Sequence, residues 1–401
     1  MAVTLAQDKL SLEEGAARLT NLLKSLRDEG SLPSSLRDRI HRWVTAADLH
    51  ALFTEQALKE DWKYTTMDFL RRPWKYAPFQ VESTSAPFQI SSSASNPLSI
   101  SQIEAADALK SFPDPLSPWE ALLSGVPVQV HYILKDGERL SLTLRNPGDL
   151  SAQLITVSLP AYTKGHILLS LKGEGLSLLR LHLHLAEGSN LRLYCISEDG
   201  GENVYRYFLI TGFLERAASI STYDFTTRAG WKRGEYRIRL GGIGASAHLH
   251  GAVYVREGSL VDTAIRVEHF APHTESNQLF KSLVQAHGRS AFQGRIFVDR
   301  SAQKTNAYQS HKALLMAPSA AAYSRPQLEI FADDVRCTHG VTTGFLQGDM
   351  LMYLRARGIP EEVARQMLYR AFLTEVIEKV SESSLQSWME GQLDEAIGFS
   401  F

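Results

Sequence analysis

The chain has little cysteine and no long apolar run. Only Cys195 and Cys337 occur among its 401 residues, which argues against a disulfide scaffold and is typical of a reducing compartment. No apolar segment approaches the roughly 20 residues that span a bilayer. The first residues carry Asp8, Glu13 and Glu14 without an apolar stretch, so we expect no secretory signal. These absences predict a cytoplasmic protein that does not enter a membrane.

Neither sign of charge is in excess. The 42 Lys and Arg residues face 44 Asp and Glu residues, for a net charge of -2. A nucleic-acid-binding protein normally shows a basic excess, so no nucleic-acid partner is expected. The glycine-rich stretch GGIGAS at 241–246 lacks the Lys-Ser/Thr ending of a phosphate loop and reads as a turn. We therefore expect this chain to bind no nucleotide, so that any ATP dependence comes from another subunit.

Composition and periodicity divide the chain into four segments. Leucines recur at helical spacing near the N-terminus, proline and serine then become frequent, alternation with a period of two follows, and a period of 3.6 returns at the end. The predicted segments are an N-terminal helical region (1–70), an irregular Pro/Ser-rich connection (71–125), a β core (126–345) and a C-terminal helical region (346–401).

The β core shows short strands with strict alternation, for example at Leu140, Leu142 and Leu144. No helical pattern separates these strands, which disfavours βαβ units. A weak echo relates GASAHLHGAVYV to GRSAFQGRIFV and sets Gly251 and Gly294 43 residues apart. Such an offset suggests the stacked coils of a β-solenoid. A β-sandwich fits alternation equally well, so the pattern alone leaves both folds open.

The C-terminal region is predicted to be helical from about residue 346. Gly358 ends one helix, and Pro360 then occupies a first helical position. An apolar face is predicted for the next helix, at Val363, Met367, Leu368, Ala371, Phe372 and Val376. Because a solenoid needs covered ends, we expect the helices at both termini to act as caps.

The candidate chemistry lies in LEIFADDVRCTHGVTTGFLQGDMLMYLRARGIP, residues 328–360. On a strand, Cys337 and His339 share one face, and together they form a soft pair that can bind a metal. A lone cysteine is more often a small buried hydrophobic residue, so a packing role stays open. Asp333 and Asp334 point to opposite faces if extended, which disfavours a cooperating acid–base pair. One of them could instead hold the tautomer of His339.

Two His-Leu-His sequences, at 182–184 and 248–250, could in principle contribute to a metal site. Each places two imidazoles on one face of a strand. No third ligand is identifiable from spacing, and both pairs interleave with apolar residues. We therefore interpret them as an outward polar face.

Several motifs resemble the SufB/SufD family of iron–sulfur cluster assembly scaffolds. They are ADDVRCTHG with the following RGIP, the run GRSAFQGRIFVDRSAQKTNAYQSHKALLM, and DWKYT at 61–65. The chain departs from the family pattern at Thr338, where serine is frequent, and at Val341, where alanine is common. Its length, its two cysteines and the Cys-x-His-Gly motif are similar to the SufD-like members.

This resemblance implies a mainly β fold, a right-handed parallel β-helix flanked by N-terminal and C-terminal helices. It implies a non-catalytic scaffold that pairs with SufB through the β-helix. A transient iron–sulfur cluster would form at their interface, beside His339 and Cys337. Two cysteines 142 positions apart cannot supply the four ligands of a stable cluster. The C-terminal helices would bind the SufC ATPase, with Tyr353, Arg357 and Pro360 among the contacts.

Two rival interpretations remain open. A carbohydrate-active β-helix enzyme would need a carboxylate cluster in a groove, usually with secretion. A self-associating SufB-like scaffold would work without a second type of subunit, although two cysteines fit it poorly. Homodimers of this chain in isolation are compatible with either scaffold interpretation.

Overall fold

The computed structural model describes residues 80–84, 129–197, 201 and 203–399. The predicted N-terminal helical region, the DWKYT motif and most of the Pro/Ser-rich connection lie outside these residues. The described part is mainly β, with seventeen strands followed by three helices. None of these helices is long and apolar enough to cross a membrane.

The elements follow one another along the chain with short turns between them. The strands are β1 (Gln80–Thr84), β2 (Gln129–Ile133), β3 (Glu138–Arg145), β4 (Leu150–Leu159), β5 (Lys164–Lys172), β6 (Gly175–Leu185), β7 (Asn190–Ser197), β8 (Val204–Leu214), β9 (Ser219–Thr226), β10 (Trp231–Leu240), β11 (Ser246–Val255), β12 (Leu260–His269), β13 (Glu275–Val284), β14 (Arg289–Val298), β15 (Asn306–Leu315), β16 (Ala321–Ile330) and β17 (Arg336–Phe345). The helices are α1 (Gly348–Arg355), α2 (Glu361–Ile377) and α3 (Ser383–Ile397). Strand β1 lies within the segment that the sequence predicts to be irregular.

The strands form two sheets that the chain visits in alternation. Odd-numbered strands make a nine-stranded sheet and even-numbered strands an eight-stranded sheet, each ordered along the sequence. Every pairing among the described strands is parallel except that of β1 with β3. Each pair of strands is therefore one coil of a parallel β-solenoid. The predicted solenoid is confirmed and the sandwich alternative is wrong, while the hand of the coil stays a prediction.

The coil repeat is shorter than the echo in the sequence suggests. Trp231 pairs with Leu260, and Leu260 pairs with Arg289, an offset of 29 residues each time. Gly251 lies on β11 and Gly294 on β14, in opposite sheets. Their separation thus corresponds to about one and a half coils. The echo thus relates two similar strands in different sheets. The inference that 43 residues correspond to the coil repeat was wrong.

One corner of the solenoid carries a column of residues with positive φ. Ala217, Gly244, His273 and Lys304 have φ of 53°, 72°, 58° and 62°. Each amide bonds to the next coil, as from Ala217 N–H to Ile243 O (2.9 Å). These inter-coil bonds hold non-glycine residues in a conformation that glycine adopts more readily.

Alternate side chains of both sheets fill the lumen. Leucine and isoleucine dominate the first coils, and aromatic rings fill the later ones, with Phe280 and Phe292 centred 5.5 Å apart. Charged groups also lie inside: the Lys232 ammonium is 2.5 Å from the Asp224 carboxylate, with both side chains fully buried. The core is thus continuous along the solenoid but not entirely apolar.

The C-terminal helices cover the flank of the solenoid. Side chains from α2 and α3, such as Leu373 and Met389, pack on Tyr223, Phe225 and Leu283, which point outward from the nine-stranded sheet. The Lys281 ammonium also bonds to Phe372 O (2.8 Å). The described helices therefore leave the last coil uncovered, and the predicted capping role was wrong for this end.

The buried face of α2 also differs from the predicted one. Its buried residues are Ala364, Tyr369, Leu373, Val376 and Ile377. Of the predicted apolar face, only Val376 is buried, and Phe372 packs against the same cluster while partly buried. Pro360 is the N-cap of α2 and not its first helical residue. The predicted helix exists, but the face that it turns toward the sheet differs from the predicted apolar face.

Candidate functional site

The last coil exposes the end of the solenoid. β16 and β17 are the outermost strands of their sheets, and each pairs with one neighbour among the described strands. Large apolar side chains are exposed around this end, at Ile330, Phe331, Val341 and Phe345. This end of the solenoid therefore exposes two strand edges and a rim of apolar side chains.

The two edges offer different hydrogen-bonding groups. Arg336 N–H bonds to Thr305 O (2.8 Å) on the β15 side. Because backbone groups alternate direction along a strand, those of Cys337, His339 and Val341 point to the open side. The edge of β17 is thus a row of donors and acceptors that can accept another strand.

The edge of β16 is interrupted. Ala321 N–H bonds to Gly288 O (3.0 Å) on the β14 side, so the same alternation turns Pro326 toward the open side. Proline has no N–H to donate, and this is where an edge strand tolerates it. Among the two edges, β17 is therefore the better template for strand pairing.

Cys337 lies at the mouth of the lumen. It is half-buried and packs against the cluster that includes Ile296, Val298 and Ala307. Burial raises the pKa of the Cys337 thiol above its ordinary value, and a hydrogen bond from the backbone of Ala307 opposes this. The thiol is thus protonated at neutral pH, and a soft metal ion would have to displace its proton.

His339 lies beside Cys337 and is exposed. Ala307 pairs with Cys337 and Gln309 with His339, so the two side chains share the inward face with a period of two. His339 nevertheless remains exposed because no further described coil follows β17. The predicted pair is on one face, at the rim of an open lumen.

The two aspartates occupy the turn between β16 and β17, and both are exposed. The Asp334 carboxylate pairs with the Lys304 ammonium, and Asp334 N–H bonds to the Gln303 side chain (3.0 Å). Asp334 therefore anchors the corner that leads into β17. A role of either aspartate in holding the tautomer of His339 stays a prediction.

The His-Leu-His pairs point outward from the lumen, since the intervening leucines fill the core. His182 is buried, with Nδ1 2.8 Å from Thr211 Oγ1. His250 is also buried, and its burial lowers its pKa to about 4. The histidines therefore point outward, as predicted, but His182 and His250 are buried instead of exposed.

Within the described part of the chain, no cluster of three or more His, Cys, Asp or Glu residues could hold a metal ion.

The predicted docking residues lie on an exposed helix and its C-terminal turn. No residue of α1 is buried, and Met350, Met352 and Tyr353 are among the most exposed large apolar residues. The Arg357 guanidinium lies 4.4 Å from the centre of the Tyr353 ring. Pro360 follows as the N-cap of α2. Tyr353 and Arg357 thus form one exposed surface patch.

One constellation escaped the sequence reasoning. Arg237, Arg266 and Arg295 are paired in register on three neighbouring strands. Their spacing of 29 residues equals the coil repeat, so the signal was present in the sequence. It could not be used before the repeat was known.

The geometry as a whole defines a class of protein. It is a parallel β-solenoid whose last coil carries a strand edge, a thiol and an imidazole, but no complete set of metal ligands in its described part. Residues 146–372 match the family model described as "SUF system FeS cluster assembly, SufBD core domain". The chain belongs to the SufB/SufD family, and within it to the SufD-like members.

The relatives support this membership. The chain is 32% identical over 173 residues to the iron–sulfur cluster assembly protein SufD of Escherichia coli, covering 43% of this chain and 41% of that protein. It is 37% identical over 131 residues to a SufBD family protein of Synechocystis, covering 33% and 28%. It is 45% identical over 109 residues to Protein ABCI7, chloroplastic, of Arabidopsis thaliana, covering 27% and 23%. The aligned part is thus less than half of each relative. This membership leaves the carbohydrate-active alternative without support.

Proposed function

We propose that this chain is the SufD-like scaffold subunit of an iron–sulfur cluster assembly complex. It pairs with SufB through the open end of the solenoid, and a nascent cluster forms at their interface. The observation that carries this proposal is the edge of β17, which no other described strand covers and which bears Cys337 and His339 at the mouth of the lumen. The cluster is the cargo of the complex and does not stay with this chain.

Ligand number supports a shared and labile site. A cluster needs about four protein ligands, and this end supplies one thiol and one imidazole. The remaining ligands would come from the partner. Cys337 must lose a proton that burial favours, which weakens its hold on iron. His339 is a neutral ligand when it binds a metal. Both properties suit a cluster that is passed on.

Strand addition supports the mode of pairing. A partner strand aligned on β17 would satisfy the backbone groups of Cys337, His339 and Val341. The rim at Phe331 and Phe345 supplies apolar surface that such a partner would bury. The same edge permits a homodimer of this chain in isolation. We propose the heteromeric pairing because the ligand set is incomplete in the described part.

The exposed helix α1 supports an ATPase contact. We propose that SufC binds at Tyr353 and Arg357, near Pro360, since Met350, Met352 and Tyr353 expose apolar surface. Nucleotide-driven closure of two such ATPases would displace α1 and thereby strain or open the interface at β17. This chain then contributes ligands and a point of attachment, and has no turnover of its own. A cytoplasmic location is part of this proposal.

The assembly site is tested by co-purification of the chain with SufB and SufC. His339→Ala should leave the complex intact but deplete iron and sulfide after anaerobic isolation, as measured by absorbance and iron assay. The matched control is His273→Ala, an exposed histidine on a turn, which should retain the wild-type content. Unchanged iron in His339→Ala would reduce the Cys337–His339 pair to a packing role.

The ATPase contact needs point variants. Deleting residues 349–401 would uncover the outward face of the nine-stranded sheet, so lost binding could reflect unfolding. The double change Tyr353→Ala with Arg357→Ala alters only exposed side chains. It should abolish SufC binding while SufB still co-purifies. Retained SufC binding would refute the assignment of α1.

A further inference from the structure

Two glutamine side chains lie inside the lumen behind the last coil. Leu249, Gln278, Gln309 and His339 are paired in register on β11, β13, β15 and β17, and all four share the inward face. Gln278 is fully buried and Gln309 is 3% exposed. The polar groups of this column therefore begin at Gln278, after an apolar residue, and lead to the imidazole at the rim.

Neither amide is satisfied. Within the described part of the chain, the nitrogen and the oxygen of both amides lack a hydrogen-bonding partner. Buried polar groups are nearly always hydrogen-bonded, because an unpaired group loses its bonds to water without replacement. The two amides lie on neighbouring strands about 4.8 Å apart, but one bond between them would satisfy only one nitrogen and one oxygen. A further partner is therefore expected.

The Gln309 side chain occupies a gap in the opposite sheet. Gly294 on β14 has no side chain, and a Cβ added there would lie 1.2 Å from Nε2 of Gln309. Because no described group bonds to the amide in this gap, a rotation of the side chain toward β17 breaks no hydrogen bond. In that direction the residue directly opposite is His339, and a glutamine side chain is long enough to cross the strand spacing of about 4.8 Å.

A ligating imidazole needs such a neighbour. It binds a metal through one unprotonated nitrogen, and the other nitrogen then carries the proton. A hydrogen bond from that N–H to an acceptor fixes the tautomer and the orientation of the ring. Asp333 and Asp334 are exposed in the turn before β17, and the Asp334 carboxylate pairs with the Lys304 ammonium. The carbonyl oxygen of Gln309 is an acceptor on the adjoining strand and on the same face as His339.

We propose that Gln309 positions His339: its Oε1 accepts a hydrogen bond from the imidazole N–H, which leaves the lone pair of the other ring nitrogen for the metal. This inference rests on the proposed role of His339 in cluster assembly. Gln309 does not touch the metal and acts only through the ring. It is thus a positioning residue, one coil inside the rim.

The test is the tautomer of His339 in the full chain labelled with ¹⁵N-histidine, measured by two-bond ¹H–¹⁵N correlation at about pH 9, where imidazoles are ordinarily neutral. The signal that disappears in His339→Ala identifies the residue. One tautomer should dominate in the wild type, and Gln309→Leu should change the tautomer ratio by about 3- to 10-fold, the equivalent of one net hydrogen bond. The matched control Gln278→Leu removes a buried amide one coil deeper and should change the ratio by less than about twofold.

Gly294→Ala gives a second test with Gln309 intact. The added methyl group occupies the gap, so the Gln309 amide has to leave it, and the wild-type tautomer preference should persist or increase. Circular dichroism checks that each variant is folded. A wild-type ratio in Gln309→Leu, or a lost preference in Gly294→Ala, would overturn the proposal.

Iron content separates this inference from the proposed function. In the complex with SufB and SufC, Gln309→Leu should lower the iron and sulfide content, since loss of such a supporting contact costs about 10- to 100-fold in metal affinity. Wild-type iron in Gln309→Leu, beside a depleted His339→Ala complex, would overturn the positioning role and spare the proposed function. Wild-type iron in His339→Ala would refute the proposed function, while the tautomer ratio would still decide whether Gln309 bonds to the ring.

Discussion

At the scale of single residues, the two cysteines occupy contrasting environments. Cys195 is buried in the lumen, where desolvation and the charge of Asp224 raise the pKa of its thiol. Cys337 is half-buried at the rim, where burial also raises the pKa of its thiol and a hydrogen bond from the backbone of Ala307 lowers it. Only the second thiol is accessible from outside.

Thiol labelling checks this contrast. Because the thiolate is the reactive form, alkylation of Cys337 should still accelerate as the pH rises beyond 9.0, its ordinary pKa. Cys195 should stay unmodified in the folded protein. Mass spectrometry of tryptic peptides gives both rates, with the urea-unfolded chain as the positive control. Rapid labelling of Cys195 in the folded chain would contradict this prediction.

The buried pair of Lys232 and Asp224 should matter for stability. Lys232→Met leaves the Asp224 carboxylate in the lumen without its cation, which should lower the free energy of unfolding by about 3–5 kcal/mol. The comparison is Lys304→Met, which breaks an exposed pair with Asp334 and should cost no more than about 1 kcal/mol. Urea titration measures both. Equal losses would mean that burial of the first pair is not what makes it important.

The sequence could predict that Cys337 and His339 share a face, because that follows from the period of two. It could not predict their exposure, which depends on the absence of a following coil in the described part. Nor could it pair Asp334 with Lys304, because residues 30 positions apart meet only once the coil length is known. Local sequence patterns therefore do not reveal which residues of neighbouring coils are in contact.

At the scale of elements, α2 shows how tertiary packing decides which face is buried. Apolar residues occur on several sides of this helix, since it packs on the sheet and on α3. A search for one apolar stripe therefore selected Met367 and Leu368, while Tyr369 and Leu373 are buried. The existence of the helix was predictable, but its rotation was not.

Truncation of the buried face should separate the two C-terminal surfaces. Leu373→Ala removes a side chain that is 1% exposed and should lower the free energy of unfolding by about 2–5 kcal/mol. Met352→Ala, on the exposed helix α1, should change it by about 0.5 kcal/mol or less. Thermal or urea unfolding provides the measurement. A large loss in Met352→Ala would show that α1 packs on something in the free chain.

The edge of β17 permits a similar comparison with proline. Val341→Pro removes an N–H that points to the open side, so it should impair pairing with SufB while the chain stays folded. Thr342→Pro removes an N–H directed at β15 and should lower the melting temperature instead. Co-purification and circular dichroism separate the two effects. Normal SufB binding by Val341→Pro would rule out strand addition at this edge.

At the scale of the whole molecule, the solenoid was predictable only with the help of family resemblance. Alternation shows that strands exist but not which strands pair. The repeat was hidden because coils differ in length: Tyr205 pairs with Trp231, an offset of 26, whereas Arg289 pairs with Ala321, an offset of 32. No single period therefore runs through the whole solenoid, although the coils from β10 to β14 repeat every 29 residues.

Stacked coils contact only their neighbours, so stability should vary along the solenoid. Hydrogen exchange should be slowest in the central strands β8 to β12, where both sheets are buried. It should be fastest in β17, which is exposed along most of its length and paired on one side. Mass spectrometry of deuterated peptides checks this order, and protection of β17 should rise when SufB is bound. Uniform exchange across the strands would contradict this gradient.

The short connection after β17 has a mechanical consequence. Only Leu346 and Gln347 separate Phe345 from α1, a tether of about 10 Å even when fully extended. A shift of α1 by more than the slack in this tether must pull on the last strand, which is held by β15 alone among its described neighbours. The tether is too short to absorb a large movement, so a displacement of α1 would act directly on the strand that carries the thiol and the imidazole.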